Sequence, residues 1–305
     1  MMRVKSLSCI AALVTLVGSC VVSCSAQDWA KAALAKSPRH GEFVTISEPS
    51  GRKLQTWVVY PQVKAKAPVI LMIHEIFGLS DWAEEMADEL AGAGYIVVEP
   101  DLLSGFGPAT AAAPASTPAA MDHDHMQMGA GGAGSAYVPA QPGGTPAFPD
   151  RNAVVRAVSS LPDAQVLADL DAAADYGKKL PSADGKLFVA GFCWGGGKSF
   201  LFATHRSDLS AAFVFYGPPP PADAMKNITA PVYGFYAGND ARISATIPQT
   251  VADMKAAGKT YEPVTYDGAG HGFMRAGEAP DANAADSAAR AQGFRRLVTL
   301  LGGVR

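Results

Sequence analysis

Six short apolar runs set the limits on what this chain can fold into. They occupy residues 69–73, 95–98, 187–190, 212–216, 232–236 and 263–266, and no charge interrupts any of them. A strand that is apolar on both of its faces must be covered on both sides. Such strands, alternating with helical stretches, predict a mostly parallel sheet between two helical layers. Upstream, residues 42–46 and 55–60 flank the turn residues Pro49-Ser50-Gly51 and predict an antiparallel hairpin. Between the runs, Ser80 is a predicted helix N-cap, with Asp81, Glu84 and Glu85 at the positive end of the helix dipole. Trp82, Met86 and Leu90 then share one face, and Gly92 and Gly94 end the helix. Val166 and Leu170 begin a second stripe, and Phe294, Leu297, Val298 and Leu301 form a third.

Two segments fall outside this rhythm. At the N-terminus, Arg3 and Lys5 precede an apolar stretch and then small residues, the pattern of a secretory signal that is too short to span a membrane. Residues 1–26 are therefore expected to be removed, leaving one domain over 27–305 in the periplasm or the medium. Cleavage after Ala26 gives a soluble protein; acylation of Cys24, at Val21-Val22-Ser23-Cys24, gives a lipoprotein. The soluble form is the expectation, with no membrane contact unless Cys24 is lipidated. The second segment, residues 105–150, is rich in Ala, Gly and Pro and has almost no periodicity. A loop that long in a compact domain is functional or disordered. It holds His123, His125, Met126 and Met128, whose soft ligands suit copper, but low-complexity surroundings rarely fix a coordination geometry. A polar insertion without a ligand is the expectation, so no metal and no cofactor is predicted.

Removing the leader takes two of the 25 basic residues and none of the 28 acidic ones, moving the formal charge from −3 to −5. With no basic run longer than two residues, nucleic acid is excluded as a partner. A monomer acting on a small molecule is expected. Of the four cysteines, Cys9, Cys20 and Cys24 leave with the signal or sit at its edge, and only Cys193 remains in the domain. A lone thiol in an exported chain has no partner for a disulfide, so its setting decides whether it is buried filler or a reactive group.

That setting is Gly191-Phe192-Cys193-Trp194-Gly195-Gly196, after one apolar run and before a helix-compatible one. It is a glycine–nucleophile–glycine elbow with cysteine at the apex. The strained strand-to-helix turn leaves no room for side chains two residues either side, which requires Gly191 and Gly195. The turn also aims the Trp194 N–H at the site as an oxyanion donor, and the helix dipole is expected to lower the thiol pKa. A nucleophile elbow calls for an acid and then a histidine, each after a later strand. Asp240 follows the run at 232–236 and His271 follows the run at 263–266, so Cys193, His271 and Asp240 are the expected catalytic triad. The helix-flanked parallel sheet with this elbow is an α/β-hydrolase fold.

The loop after the first apolar run reads His74-Glu75-Ile76-Phe77-Gly78. Together with Gly-x-Cys-x-Gly-Gly, Gly-x-Asp and His271-x-Phe273-x-Arg275, it resembles the dienelactone hydrolase family over residues 43–301, leaving out the insertion. The resemblance implies hydrolysis of an ester or enol-lactone that carries a carboxylate. It implies that Glu75 contacts the thiol and helps to activate it when substrate arrives. The Ile76 N–H would complete the oxyanion hole with Trp194, and Arg275 would bind the substrate carboxylate. The family uses a second arginine from the region that the insertion occupies here; Arg151 and Arg156 are nearby and no motif selects either. His74 is read as structural. A broader carboxylesterase or thioesterase, and an exported copper-handling protein built on this scaffold, stand as alternatives.

Overall fold

The apolar runs find cover on both sides, as their composition demands. The computed structural model describes residues 27–107 and 143–303. Its strands are β1 (His40–Ser47), β2 (Lys53–Tyr60), β3 (Ala67–Ile73), β4 (Ile96–Pro100), β5 (Ala183–Phe192), β6 (Ala211–Phe215), β7 (Val232–Ala237) and β8 (Tyr261–Tyr266). They form one eight-stranded sheet in the order β1-β2-β4-β3-β5-β6-β7-β8. β1 pairs antiparallel with β2, and β2 with β4; from β4 onward every pairing is parallel.

The helices are α1 (Asp28–Leu34), α2 (Asp81–Gly92), α3 (Arg151–Ser159), α4 (Asp163–Lys179), α5 (Trp194–His205), α6 (Ala241–Ser244), α7 (Ile247–Ala256), α8 (Phe273–Ala276) and α9 (Ala284–Gly303). Alternation along β3 divides the core. Ile70 and Met72 face Trp82, Met86 and Leu90 of α2, in the core that also takes Leu297 and Leu301 of α9. Val69, Leu71 and Ile73 face the other core, with Val166 and Leu170 of α4 and Phe200 of α5. A single chain thus makes two cores, one on each face of the sheet. The Ser80 hydroxyl accepts from the Ala83 N–H and Gly94 takes a positive φ, so α2 begins and stops where its sequence predicts. Among the described residues, no helix is long and apolar enough to cross a membrane.

Of the segment 105–150, residues 105–107 and 143–150 are described. A 3-10 turn at Thr145–Ala147 leads into α3. The Gly144 N–H donates to the Phe106 carbonyl at 3.0 Å. Asp101 accepts from the Thr145 N–H and hydroxyl, and that hydroxyl accepts from the Leu79 N–H. The end of the insertion is therefore tied to the loop that follows β3. The short polar helix α3 has a stripe of only Val154 and Val158, too little to announce itself in sequence. His123, His125, Met126 and Met128, and the leader with Cys24, lie outside the described residues.

Candidate active site

The loops leaving β3, β5, β7 and β8 converge at the carboxyl end of the sheet, the usual place for a site in an open parallel sheet. Cys193 sits between β5 and α5 at φ 56° and ψ −116°. Its N–H donates to the Phe215 carbonyl at 3.0 Å, fixing the elbow against β6. The glycines are required by contact. A Cβ on Gly191 would lie 2.0 Å from the Gly195 carbonyl oxygen, and one on Gly195 would lie 2.4 Å from the carbonyl oxygens of both Ile73 and His74.

The residues expected at the centre are brought together. His271 Nε2 is 3.0 Å from the Cys193 sulfur, and its Nδ1 is 2.5 Å from the Asp240 carboxylate. Asp240 is 8% exposed and also caps α6 by accepting from the Ile243 N–H. The β7 and β8 loops are stitched by Asn239, which donates to the Ala269 and Gly268 carbonyls; Asp286 holds the Gly270 N–H at 2.7 Å. With the acid and the imidazole on two loops bonded to each other, the histidine has little freedom to leave the sulfur.

The resting thiol differs from the expectation. Burial pushes its pKa up to about 11, Glu75 adds to the rise, and the Trp194 and Ile76 amides and Arg242 oppose it without prevailing. The lowering expected from the sequence does not prevail: a carboxylate nearby and loss of water both favour the neutral thiol. The folded chain thus holds this proton more tightly than the unfolded one. Its contribution to stability is present below the ordinary thiol range and is lost as pH rises towards 11. Alkylation by iodoacetamide, without substrate, is expected to stay slow at pH 8 and to rise across pH 9–11. A rate already at its plateau at pH 8 would contradict a neutral resting thiol.

Glu75 is 2% exposed and takes the Arg275 guanidinium at 2.8 Å, while the Tyr216 hydroxyl stands 3.4 Å from its other oxygen. Burial works against the Arg275 charge, but Glu75 outweighs it and raises the pKa. His74 is fully buried and, through burial, its pKa is lowered; Nδ1–H donates to the Glu75 carbonyl at 2.8 Å and Nε2 accepts from Leu102. Both ring nitrogens are thus taken up by the backbone around the Glu75–Ile76 turn.

Two residues that no motif selected complete the surroundings. Arg151, the first residue of α3, places its guanidinium carbon 3.6 Å from the centre of the Phe77 ring, and Arg275 stands 5.1 Å from the same ring. Burial and the like charge of Arg275 lower the Arg151 pKa, and Glu75 opposes them. Tyr216, with φ 40°, is the other non-glycine residue at positive φ among the described residues, and it packs edge-on against His271 with ring centres 5.1 Å apart. Its place after an apolar strand and before Gly217 was the one sequence signal available. Arg156 is not among the groups around the thiol. Away from the site, the carboxylates of Glu85, Glu89 and Glu278 form the one grouping of potential metal ligands among the described residues, and Arg290 already pairs with Glu89 and Glu278.

A model of the dienelactone hydrolase family matches residues 54–304. The chain belongs to that family. The family's members are hydrolases of ester and lactone bonds. A Methylorubrum extorquens protein named "Putative carboxymethylenebutenolidase" is 32% identical over 68% of this chain, a match that spans 63% of the relative's own length. A Pseudomonas putida protein named "Carboxymethylenebutenolidase" is 26% identical over 77% of this chain and 86% of its own. The solved structure "Crystal Structure of Putative Dienelactone Hydrolase from Klebsiella pneumoniae subsp. pneumoniae MGH 78578" superimposes with a TM-score of 0.66 at 25% identity. It covers 86% of this chain and 97% of that one. The eight-stranded α/β architecture of this family member is the α/β-hydrolase fold its sequence predicted.

Proposed function

We propose that this protein hydrolyses an ester or enol-lactone carrying a carboxylate, with Cys193 as nucleophile, His271 as base and Asp240 holding the imidazole. The observation that carries the reading is the charge balance around Phe77: two guanidiniums, Arg151 and Arg275, face one carboxylate, Glu75. The surplus positive charge, partly out of water, calls for an anion, and an arginine pair is suited to binding a carboxylate.

The reaction then follows from the resting arrangement. The substrate carboxylate settles on Arg151 and Arg275 and competes for the guanidinium that holds Glu75. Glu75, released, turns to the sulfur and takes its proton. The thiolate attacks the acyl carbon, and the oxyanion is met by the Ile76 and Trp194 amides, whose N–H groups already face the sulfur. The carbon–oxygen bond breaks, the proton from Glu75 passes to the departing oxygen, and a thioester remains. Water, deprotonated by His271, cleaves the thioester and restores the thiol. Activation only on substrate arrival keeps the sulfur from reacting with other electrophiles meanwhile. The leader-like residues 1–26 extend the proposal to an exported enzyme.

The test compares matched aryl esters with and without a carboxylate near the carbonyl. The acid-bearing ester is expected to have a kcat/KM at least about tenfold higher. Arg151→Met is expected to lower its kcat/KM by about 10- to 100-fold, the loss of one charge-assisted contact, and to leave the neutral ester within about threefold. Equal losses on both esters would favour the broader carboxylesterase reading.

A further inference from the structure

A cavity lies on the α2 face of the sheet, apart from the thiol. It measures about 280 Å³ and is bounded by α1, the start of β1, Trp57 of β2 and α2. Leu34, Phe43 and Trp57 give it apolar walls, and the two aromatic rings are tilted against each other with centres 4.9 Å apart. Four of its charged residues already have partners: Lys31 is 3.4 Å from Asp81, and Arg39 pairs with Asp88. The fifth, Glu84, has no ion pair or side-chain hydrogen bond among the described residues, and only the more distant charge of Lys31, itself paired with Asp81, acts on it.

Two further unmet groups lie behind its wall, closed off from the cavity itself. The Trp57 Nε1–H is buried and without an acceptor. Glu99 faces Trp57 across the β2–β4 register, so the two side chains share a sheet face; it is fully buried, and neither of its carboxylate oxygens has a partner. The charge of Glu84 is felt at Glu99, which places the two carboxyls in one another's reach. A cavity of this size with mostly apolar walls is not a site for a lone bridging water. An anion is excluded by the acids. A bare metal ion is poorly served, because it needs several oxygen ligands and the walls here are hydrocarbon and indole.

We infer that this cavity binds a small organic ammonium ion with an apolar body. The ammonium group meets Glu84 beside the aromatic faces, a pairing that recurs wherever amines are bound out of water, and the hydrocarbon fills the space against Leu34 and Phe43. Binding exchanges a proton for the ligand. Burial and the neighbouring acids Asp81 and Asp101 hold Glu84 protonated up to about 8, with Lys31 opposing them. The charged groups facing it are Lys31 from α1, Arg39 before β1, Asp81 and Asp88 from α2, Glu99 from β4 and Asp101 beyond it. Affinity is therefore expected to fall as pH drops from 8 to 6, where the ligand must displace that proton.

The probe is phenethylammonium, with 2-phenylethanol as its neutral counterpart, titrated into the full-length protein by calorimetry at pH 8 and pH 6. The amine is expected to bind at least tenfold tighter than the alcohol at pH 8 and to lose most of that advantage at pH 6. In Glu84→Gln the advantage should shrink below about twofold while ester turnover at Cys193 is unchanged. Ala35→Trp, a change at an exposed position that fills the cavity, should abolish binding of both probes. No binding of the amine to the wild type, equal binding of amine and alcohol, or an amine preference that survives in Glu84→Gln or in Ala35→Trp would each overturn the inference. None of these outcomes bears on the reaction at the thiol.

Discussion

Cys193→Ala is expected to lower kcat/KM for an activated ester by at least about 10³-fold while moving Tm by no more than a few degrees. The reaction is read as passing through a thioester, so without the sulfur only the oxyanion donors and the His271–Asp240 pair remain to assist water directly. Removing a nucleophile that works as part of such a unit leaves a small residual rate. The fold has less to lose. Residue 193 holds φ 56° whether its side chain ends in sulfur or a methyl group, and the bond from its N–H to the Phe215 carbonyl is made by the backbone. Steady-state kinetics and a thermal melt on the same preparation check both halves. An alanine variant with more than about a tenth of wild-type activity would refute Cys193 as nucleophile, and intact-mass detection of an acyl adduct on the wild type supplies the positive test.

Gly195→Ala is expected to damage the fold severely, for a reason that lies outside its own helix. In an ordinary helix, alanine in place of glycine gains close to 1 kcal/mol. Here the new Cβ would lie 2.4 Å from two carbonyl oxygens, those of Ile73 and His74, which belong to the end of β3 and cannot swing aside as a side chain would. The strand end must move, and Glu75 and Ile76 move with it. A loss of at least about 3 kcal/mol follows from overpacking against backbone, enough to lower Tm by several degrees in a domain of this size. The proper control is Gly185→Ala. Gly185 also has a positive φ, at 95°, but an added Cβ there meets nothing within 4 Å, so only local backbone strain of about 1 kcal/mol is expected. If the two variants melt alike, close approach is not the reason for the glycine at 195.

Much of this arrangement is legible in the sequence because it depends on local pattern. A strand buried on both faces must be continuously apolar, so β3 through β7 can be read directly, and the elbow announces itself through glycines that sterics impose. Asp240 and His271 are legible by position, each following one of those strands. What escapes is what only folding brings together. Arg151 reaches Phe77 because the chain returns past residue 143 and starts α3 beside the β3 loop; no spacing from the motifs encodes that return. The thiol pKa is misread for the same reason. The helix dipole is local and can be read from the elbow, whereas the burial of Cys193 and the charge of Glu75 arrive from β3 and prevail. Trp57 and Glu99 likewise become neighbours only through the antiparallel register of β2 and β4.

The return of the chain at residue 143 has a consequence for how such a protein can change. Gly105 and Gly143 approach so closely that a Cβ on Gly143 would lie 2.9 Å from the Gly105 nitrogen, and Gly144 is hydrogen-bonded to Phe106. The departing and returning stretches of the chain are buttoned together at their base, and Thr145 sews the returning one to Asp101 and to the loop after β3. Whatever lies between these two points is spliced in at a closed seam. An exchange of that segment is therefore expected to leave the path of Glu75, Ile76 and Arg151 as it is.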